Sequence, residues 1–340
     1  MKTYKTGIIG LGQIAYEIDL DTSREIIWSH AKAFFVHKKT ALIMVSDIDK
    51  TKYNRFNKYY QNIDYYSNYI EMVCSENIDI LSICTPTSTH LNLVKNIAKS
   101  KPPKALFVEK PMGNNLNEAI EINNICKESG IILAVNYARQ WEKKYSLVRK
   151  IIANKDLGDL QTITAYGCTA LLTSTSHLID LFLLFGGDVE WVIGNLQCDY
   201  IRKVENIDDP GGIAFVKFKN GVYGFLKGIS KNPLHYMFEI DLLFSNGRVT
   251  FAGYGEELIV KKFTNNTSRP GHGYKTLDRI YSDKYEIKDN ERMLDAVTDI
   301  INCIESNCIP KSSGSNALKV HRLIQGIKMS DKNNNIKIYV

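Results

Sequence analysis

The chain predicts an α/β fold, an N-terminal doubly wound parallel sheet joined to a C-terminal α+β domain with a mostly antiparallel open sheet. Three observations predict it. Short apolar strands alternate with helical stretches through the first half, the pattern of a parallel sheet with helical crossovers. Gly10-Leu11-Gly12-Gln13-Ile14-Ala15, of the form G-x-G-x-x-A, directly follows the first strand. After about Tyr137 the strands succeed one another with few helices between them, which implies antiparallel pairing. The 340 residues allow two domains, each with its own core.

Taken in order, the expected strands of the first half are 7–11, 41–46, 80–85, 105–109 and 131–136, each a short apolar run. Helices are expected at 51–60, 69–75, 90–99 and 117–129, the last closed by Gly130 in the C′ position that glycine favours. The second half reads as a helix at 142–154, a strand near 161–169 and a helix near 174–185. Strands follow at 191–200, 213–218, 222–230, 237–243, 248–252 and 258–262, with Asn220-Gly221 and Asn246-Gly247 as turn signals. Polar residues 265–275 read as a flexible loop. Helices at 291–306 and 315–330 and a short strand end the chain.

The net charge of +6 is scattered over amphipathic segments, so it reads as solvated faces and not as a nucleic-acid patch. A modest positive field can still help to attract an anionic substrate such as a nucleotide sugar. No apolar run reaches the 18 or so residues of a membrane span, and Met1 to Thr6 lead directly into a strand, unlike a signal peptide. Seven cysteines without C-x-x-C spacing read as reduced packing residues of a cytoplasmic protein, neither a disulfide framework nor a zinc site. No metal ligand set is expected.

The glycine motif has a physical reading. Gly10 permits the tight turn, Gly12 lets backbone approach a pyrophosphate, and Ala15 allows close helix–strand packing at a phosphate-attracting N-terminus. Asp47 ends the second strand, where a carboxylate accepts from ribose hydroxyls and repels a 2′-phosphate, favouring NAD over NADP. It can equally cap the following helix, a role that Asp49 could serve. Asp47 follows Gly10 by 37 residues against the usual spacing of about 20. The excess lies in an acidic and aromatic insertion at 16–29. Cys84 to His90 end a strand at the carboxyl edge of the sheet, where hydroxyls and backbone can line a cofactor, and Thr89 is expected to cap the next helix. Gly10, Gly12, Gln13, Ile14, Asp47, Thr85, Pro86, His90 and Glu109 form the expected cofactor-binding set. Residues 105–111, Ala-Leu-Phe-Val-Glu-Lys-Pro, end a central strand on Lys110, where open α/β sheets bind ligands and an ammonium can bond a substrate hydroxyl.

Together these segments resemble the glucose–fructose oxidoreductase / inositol dehydrogenase / rhizopine-catabolism family. The matching elements are Gly-Ile-Ile-Gly-Leu-Gly-Gln-Ile (7–14), His-Ala-Lys-Ala-Phe (30–34) and Ser-Asp-Ile-Asp (46–49). They continue in order with Thr-Pro-Thr-Ser-Thr-His (85–90), Glu-Lys-Pro-Met-Gly (109–113) and His-Leu-Ile-Asp-Leu (177–181). The resemblance implies a Rossmann domain, set here at 1–137, and an α+β substrate-binding and oligomerisation domain at 138–340. It implies homodimers or homotetramers built through the open C-terminal sheet. It also implies that Lys110 contacts the reacting hydroxyl and that His177 is the general acid or base. The chemistry agrees, because removing hydride from a secondary alcohol requires removal of its hydroxyl proton, which a histidine can take near neutral pH.

One departure matters. Family members commonly carry an aspartate four residues before the histidine, and here that position is Thr173; Thr175 replaces a frequent glycine. A neutral hydroxyl can bond a sugar but cannot hold it by charge, and the resemblance extends to branches acting on surface-polysaccharide sugars that use neutral residues there. Asp180, one turn beyond His177, could orient it, bind substrate or pair with a basic residue. Asn136, Tyr137 and Arg139 are substrate-cleft candidates by resemblance, with packing at the domain junction as the alternative; Trp141 reads as core. The expected function is NAD-dependent interconversion of a secondary hydroxyl and a ketone on a sugar or nucleotide sugar, in bacterial surface-glycan biosynthesis. The alternative is a non-catalytic dinucleotide-binding regulator or sensor. Neither nucleic acid nor membrane is an expected partner.

Overall fold

A computed structural model describes residues 2–168, 170–173, 175–204, 207–228, 237–267, 274–280, 287 and 291–340. The chain divides into two compact units, Met1–Glu142 with Asn290–Leu318, and Lys143–Asp289 with Lys319–Val340. In the first unit, β1 (Tyr4–Ile9), β2 (Thr40–Ser46), β3 (Asp64–Tyr66), β4 (Ile80–Ile83), β5 (Ala105–Val108) and β6 (Ile132–Val135) form one sheet. All its pairs are parallel and the order is β3-β2-β1-β4-β5-β6, the doubly wound dinucleotide-binding order. Strands β4 and β5 are buried at every residue, which explains their unbroken apolar runs. β3 was not expected, because three residues, Asp-Tyr-Tyr, are too few to carry a periodicity. The crossovers are α1 (His30–Val36), α2 (Lys50–Phe56), α3 (Tyr69–Ser75), α4 (Thr87–Lys99) and α5 (Leu116–Glu128).

The insertion at 16–29 interrupts the first crossover helix. After the glycine turn, residues 12–15 make one helical turn, and a 3-10 segment, Glu17–Leu20, leads away from it. His30 N–H then donates to Ile14 O at 3.3 Å and Ala31 N–H to Ala15 O at 2.8 Å, so α1 continues the turn where residues 16–29 left it. The loop is itself tied down. Asp19 accepts from the backbone of Trp28 and Ser29, and the Arg24 guanidinium lies 4.7 Å from the Trp28 ring centroid.

The second unit carries α6 (Lys143–Asn154), α7 (Thr175–Gly186) and strands β7 (Leu160–Gly167), β8 (Val189–Val204), β9 (Ile207–Phe218), β10 (Tyr223–Gly228), β11 (Phe238–Phe244), β12 (Gly247–Ala252), β13 (Glu257–Thr267) and β14 (Lys275–Arg279). With the terminal β15 (Ile338–Tyr339) they form a nine-stranded sheet, β14-β13-β12-β11-β7-β10-β9-β8-β15. Among the described residues every pair is antiparallel except β7 with β10. α7 packs on one face, and Gly224 is required there because a Cβ would run into the Phe182 ring. The polar stretch at 265–275 is partly strand, since β13 extends to Thr267 and β14 begins at Lys275; residues 268–273 lie outside the described residues. So do Thr169 and Ser174, at expected element ends, and 229–230 of the expected 222–230 strand.

The sequence places one boundary after Tyr137, whereas contacts divide the chain after Glu142 and return 290–318 to the first unit. The cause is α8 (Arg292–Ser306), whose Met293, Ala296, Val297, Ile300 and Ile301 are buried at helical spacing in the core of Tyr4, Phe34, Phe107 and Trp141. Trp141 is indeed core, its indole N–H donating to Asp299 at 2.9 Å. Arg292 pairs with buried Glu142 at 2.8 Å and covers the Trp28 ring at 3.7 Å, anchoring the insertion. Among the described residues no helix is long and apolar enough to cross a membrane.

The final helix, α9 (Gly314–Lys332), buries His321, and this burial, helped by the Lys328 charge, pushes its imidazole down to about 4. The unfolded chain takes up that proton near 6.5 and the folded chain does not until about 4, so stability falls as pH drops through this window. We expect the stability of wild type relative to His321→Leu to fall by about 3 kcal/mol between pH 7 and pH 4. Urea unfolding of both proteins at the two pH values checks this; an unchanged difference would contradict it.

Candidate dinucleotide site and redox residues

Strands β1 and β4 lie side by side while their crossovers run in opposite directions, so the carboxyl edge between them is the topological switch point. Gly10 sits there with φ +90°, and its N–H donates to Ser46 O at 2.8 Å. A Cβ at Gly10 would stand 2.9 Å from the Cys84 carbonyl carbon, so conformation and space both require glycine. At Gly12 the situation is the opposite. An added Cβ would meet nothing within 4 Å, leaving the space a pyrophosphate needs. Asp47, nearly buried at the end of β2, accepts from Leu11 N–H at 2.7 Å and from Asp49 N–H at 2.9 Å. The Lys52 ammonium lies 3.5 Å from it. Helix capping falls to Asp49, whose Oδ1 accepts from Thr51 N–H at 2.9 Å, leaving Asp47 to brace the glycine turn. An open glycine turn with a carboxylate beside it fits an adenine dinucleotide.

The other expected cofactor contacts have mixed surroundings. Gln13 and Pro86 are exposed, and Ile14 and Thr85 half-buried. Thr89 does not cap α4 as expected: the helix starts at Thr87, three residues before the expected 90, with Pro86 at its N-cap position. The Thr89 hydroxyl lies 2.7 Å from that of Thr85 and donates to Pro86 O. His90 is fully buried, with its ring nitrogens 3.2 Å from Met112 O and 3.1 Å from Thr85 O. It therefore braces the two loops that leave β4 and β5.

At the end of β5, Lys110 is half-buried and joined to Pro111 by a cis peptide. Glu109 is buried, and its Oε1 accepts from His30 Nε2 at 2.8 Å and from Asn136 Nδ2 at 2.6 Å. Burial alone pushes this carboxyl up. The hydrogen bond and charge of His30, the Asn136 amide and the Lys110 charge outweigh burial and bring it below its ordinary value. Because Asn136 Nδ2 faces the carboxylate, its Oδ1 faces away, buried and with no hydrogen-bond partner among the described residues. Tyr137 is fully buried, and Arg139 is half-buried in the 3-10 segment Ala138–Trp141.

In the second unit, α7 carries His177, half-buried, and Asp180, buried. Thr173 lies in the turn ahead of the helix, where its carbonyl accepts from the Ser176 hydroxyl at 2.5 Å. A carboxylate does stand at this turn, supplied from β9. Asp209 accepts from Leu172 N–H at 2.8 Å and Thr173 N–H at 3.0 Å, and Leu171 N–H donates to Pro210 O. Burial pushes the Asp209 carboxyl up, and these N–H donors only partly offset it.

Three residues, His30, Ser82 and Asp209, were not singled out from the sequence. His30 carried a signal, since it opens the His-Ala-Lys-Ala-Phe segment, but its partners lie 52 and 79 residues away. Asp209 lies 36 residues from Thr173, on a strand that only pairing identifies. Among the described residues no group of three or more acidic, histidine or cysteine side chains could hold a metal ion.

Residues 4–137 match the model of an oxidoreductase family with an NAD-binding Rossmann fold. A myo-inositol 2-dehydrogenase from Thermotoga maritima is 23% identical over 300 residues, 83% of this chain and 84% of that protein. The WlbA dehydrogenase of Bordetella pertussis, solved with NADH and UDP-GlcNAcA, superposes with a TM-score of 0.77 at 19% identity, covering 100% of this chain and 99% of its own. An Agrobacterium radiobacter oxidoreductase solved with NAD+, L-tartaric acid and magnesium gives 0.78 at 16% identity, covering 99% and 98%. The protein is an NAD-dependent oxidoreductase. Its residues 4–137 belong to the glucose–fructose oxidoreductase / inositol dehydrogenase / rhizopine-catabolism family.

Proposed function

We propose that the protein interconverts a secondary hydroxyl and a ketone on a sugar carried by a nucleotide, as a step in building a bacterial surface glycan. The observation that carries the redox part is Lys110, half-buried at the end of β5 beside the buried Glu109 carboxylate. NAD, when bound, supplies the hydride acceptor. Lys110 orients the reacting hydroxyl through its ammonium, and His177 exchanges the hydroxyl proton. Gly12, Asp47 and the 85–86 turn hold the cofactor, and the spare Oδ1 of Asn136 accepts a hydrogen bond from bound ligand.

Support for a nucleotide-linked substrate comes from Thr173, which supplies no charge to a bare polyol, from the +6 net charge and from the likeness to WlbA. Support for a cyclitol comes from the Thermotoga relative. Turnover with UDP-linked sugars and uronic acids against free sugars and inositols decides between them. Preference for the UDP-linked panel is expected; a preference for inositol would overturn the substrate class.

We also propose assembly through the second sheet. Phe215, Tyr223 and Phe225 are between 37% and 44% exposed on neighbouring strands, and the Phe215 and Tyr223 rings stack at 5.7 Å with Trp191 beside them. Such a patch on an open sheet favours a second copy. The double variant Phe215→Asp, Phe225→Asp should elute as a monomer in light scattering where wild type is a dimer or tetramer. A variant that keeps the wild-type mass would contradict this.

A further inference from the structure

The first unit buries a hydrogen-bonded chain that the proposed reaction does not itself use. His30, fully buried on α1, has Nδ1 2.9 Å from the Ser82 hydroxyl on β4 and Nε2 2.8 Å from Glu109 Oε1 at the end of β5. A carboxylate oxygen only accepts, so Nε2 carries a proton and donates it to this bond. The ring is clamped by Phe107, 4.5 Å between centroids and tilted 50°, and Phe107 in turn meets Trp141 edge-on. A buried carboxylate this well supplied with donors has a fixed charge and a fixed direction. The next residue along the chain is Lys110, whose charge acts on Glu109.

We propose that His30 is a positioning residue for Lys110: it holds the Glu109 carboxylate in place, and that carboxylate holds the Lys110 ammonium charged and oriented. The proposal rests on the reading of Lys110 as the group that meets the substrate hydroxyl. The insertion at 16–29 becomes intelligible in this light. It leaves the helix after Ala15 and rejoins it at His30, so the resumed hydrogen bonds of α1 fix where the imidazole starts. The charged and titratable groups facing Glu109 are His30 from α1, Lys110 beside it and the Cys84 thiol after β4. Burial first, and then the Glu109 charge, push Cys84 well up, so it remains a neutral thiol. Asn136 completes the shell as a neutral donor.

The test reads Lys110 directly, without substrate. The full-length protein is treated with acetic anhydride at pH 8, and the acylation rate of Lys110 is measured by peptide mass spectrometry, with Lys52 as internal reference. Removing the adjacent negative charge in Glu109→Gln should raise the Lys110 rate about tenfold, the effect of one unit in the fraction of free amine. His30→Phe should raise it as well. His30→Gln, which keeps a donor for Glu109, should stay within about twofold of wild type. Equal Lys110 rates in wild type, Glu109→Gln and His30→Phe would overturn the proposal. If His30→Phe does not fold, Glu109→Gln and His30→Gln decide alone. An enzyme that turned over no sugar would sink the proposed reaction while leaving these rates, and this inference, to stand or fall separately.

Discussion

Lys110→Ala should slow hydride transfer by about 10²-fold or more, the loss expected when the reacting hydroxyl is no longer held in place, while NAD affinity changes by less than about threefold. The selectivity follows from position. Lys110 lies at the end of β5, whereas the glycine turn and Asp47 belong to the ends of β1 and β2. Alanine removes the ammonium and leaves Glu109 with its donors from His30 and Asn136. Single-turnover kinetics with cofactor binding measured separately checks this. A fall in NAD affinity matching the fall in rate would mean that Lys110 serves the cofactor instead of the hydroxyl.

The second large effect divides the two glycines. Gly12→Val should leave the cofactor-free protein within about 0.5 kcal/mol of wild-type stability, as expected for a side chain that meets nothing. The same side chain stands in the space offered to the pyrophosphate, so NAD affinity should fall at least about 100-fold. Gly10→Ala should do the reverse in order of cause. With φ +90° and a Cβ 2.9 Å from the Cys84 carbonyl carbon, it strains β1 against β4 and should destabilise the protein by about 1–3 kcal/mol before any ligand is added. Thermal unfolding without NAD and titration with NAD separate the two. Equal losses of stability in both variants would contradict the reading of Gly12 as an open cradle.

The dinucleotide half of the molecule was legible because its signals are local. The turn at 10–15, the strand end at Asp47 and the apolar run before Lys110 each declare themselves within a few residues, and the sheet order follows from alternating strands and helices. What could not be read depends on pairing across long stretches of chain. The amphipathic spacing of α8 shows that one face is buried without showing that it returns to the core of Tyr4 and Phe34. The missing aspartate at Thr173 is evident, but the Asp209 carboxylate at that turn arrives on a strand 36 residues away. The excess spacing before Asp47 pointed to the insertion, while its rejoining at His30 needed the hydrogen bonds of the turn.

The most direct test of the redox function is a single-turnover experiment on the full-length protein. Wild type and Lys110→Ala, each saturated with NAD, are mixed with UDP-linked sugars, free sugars and inositols while the reduced-nicotinamide absorbance band is followed. A burst of reduction in wild type with at least one secondary alcohol, slowed at least about 100-fold in Lys110→Ala, is the expected result. Tight NAD binding with no reduction by any compound of the panel would contradict it, and would make the protein a dinucleotide-binding sensor.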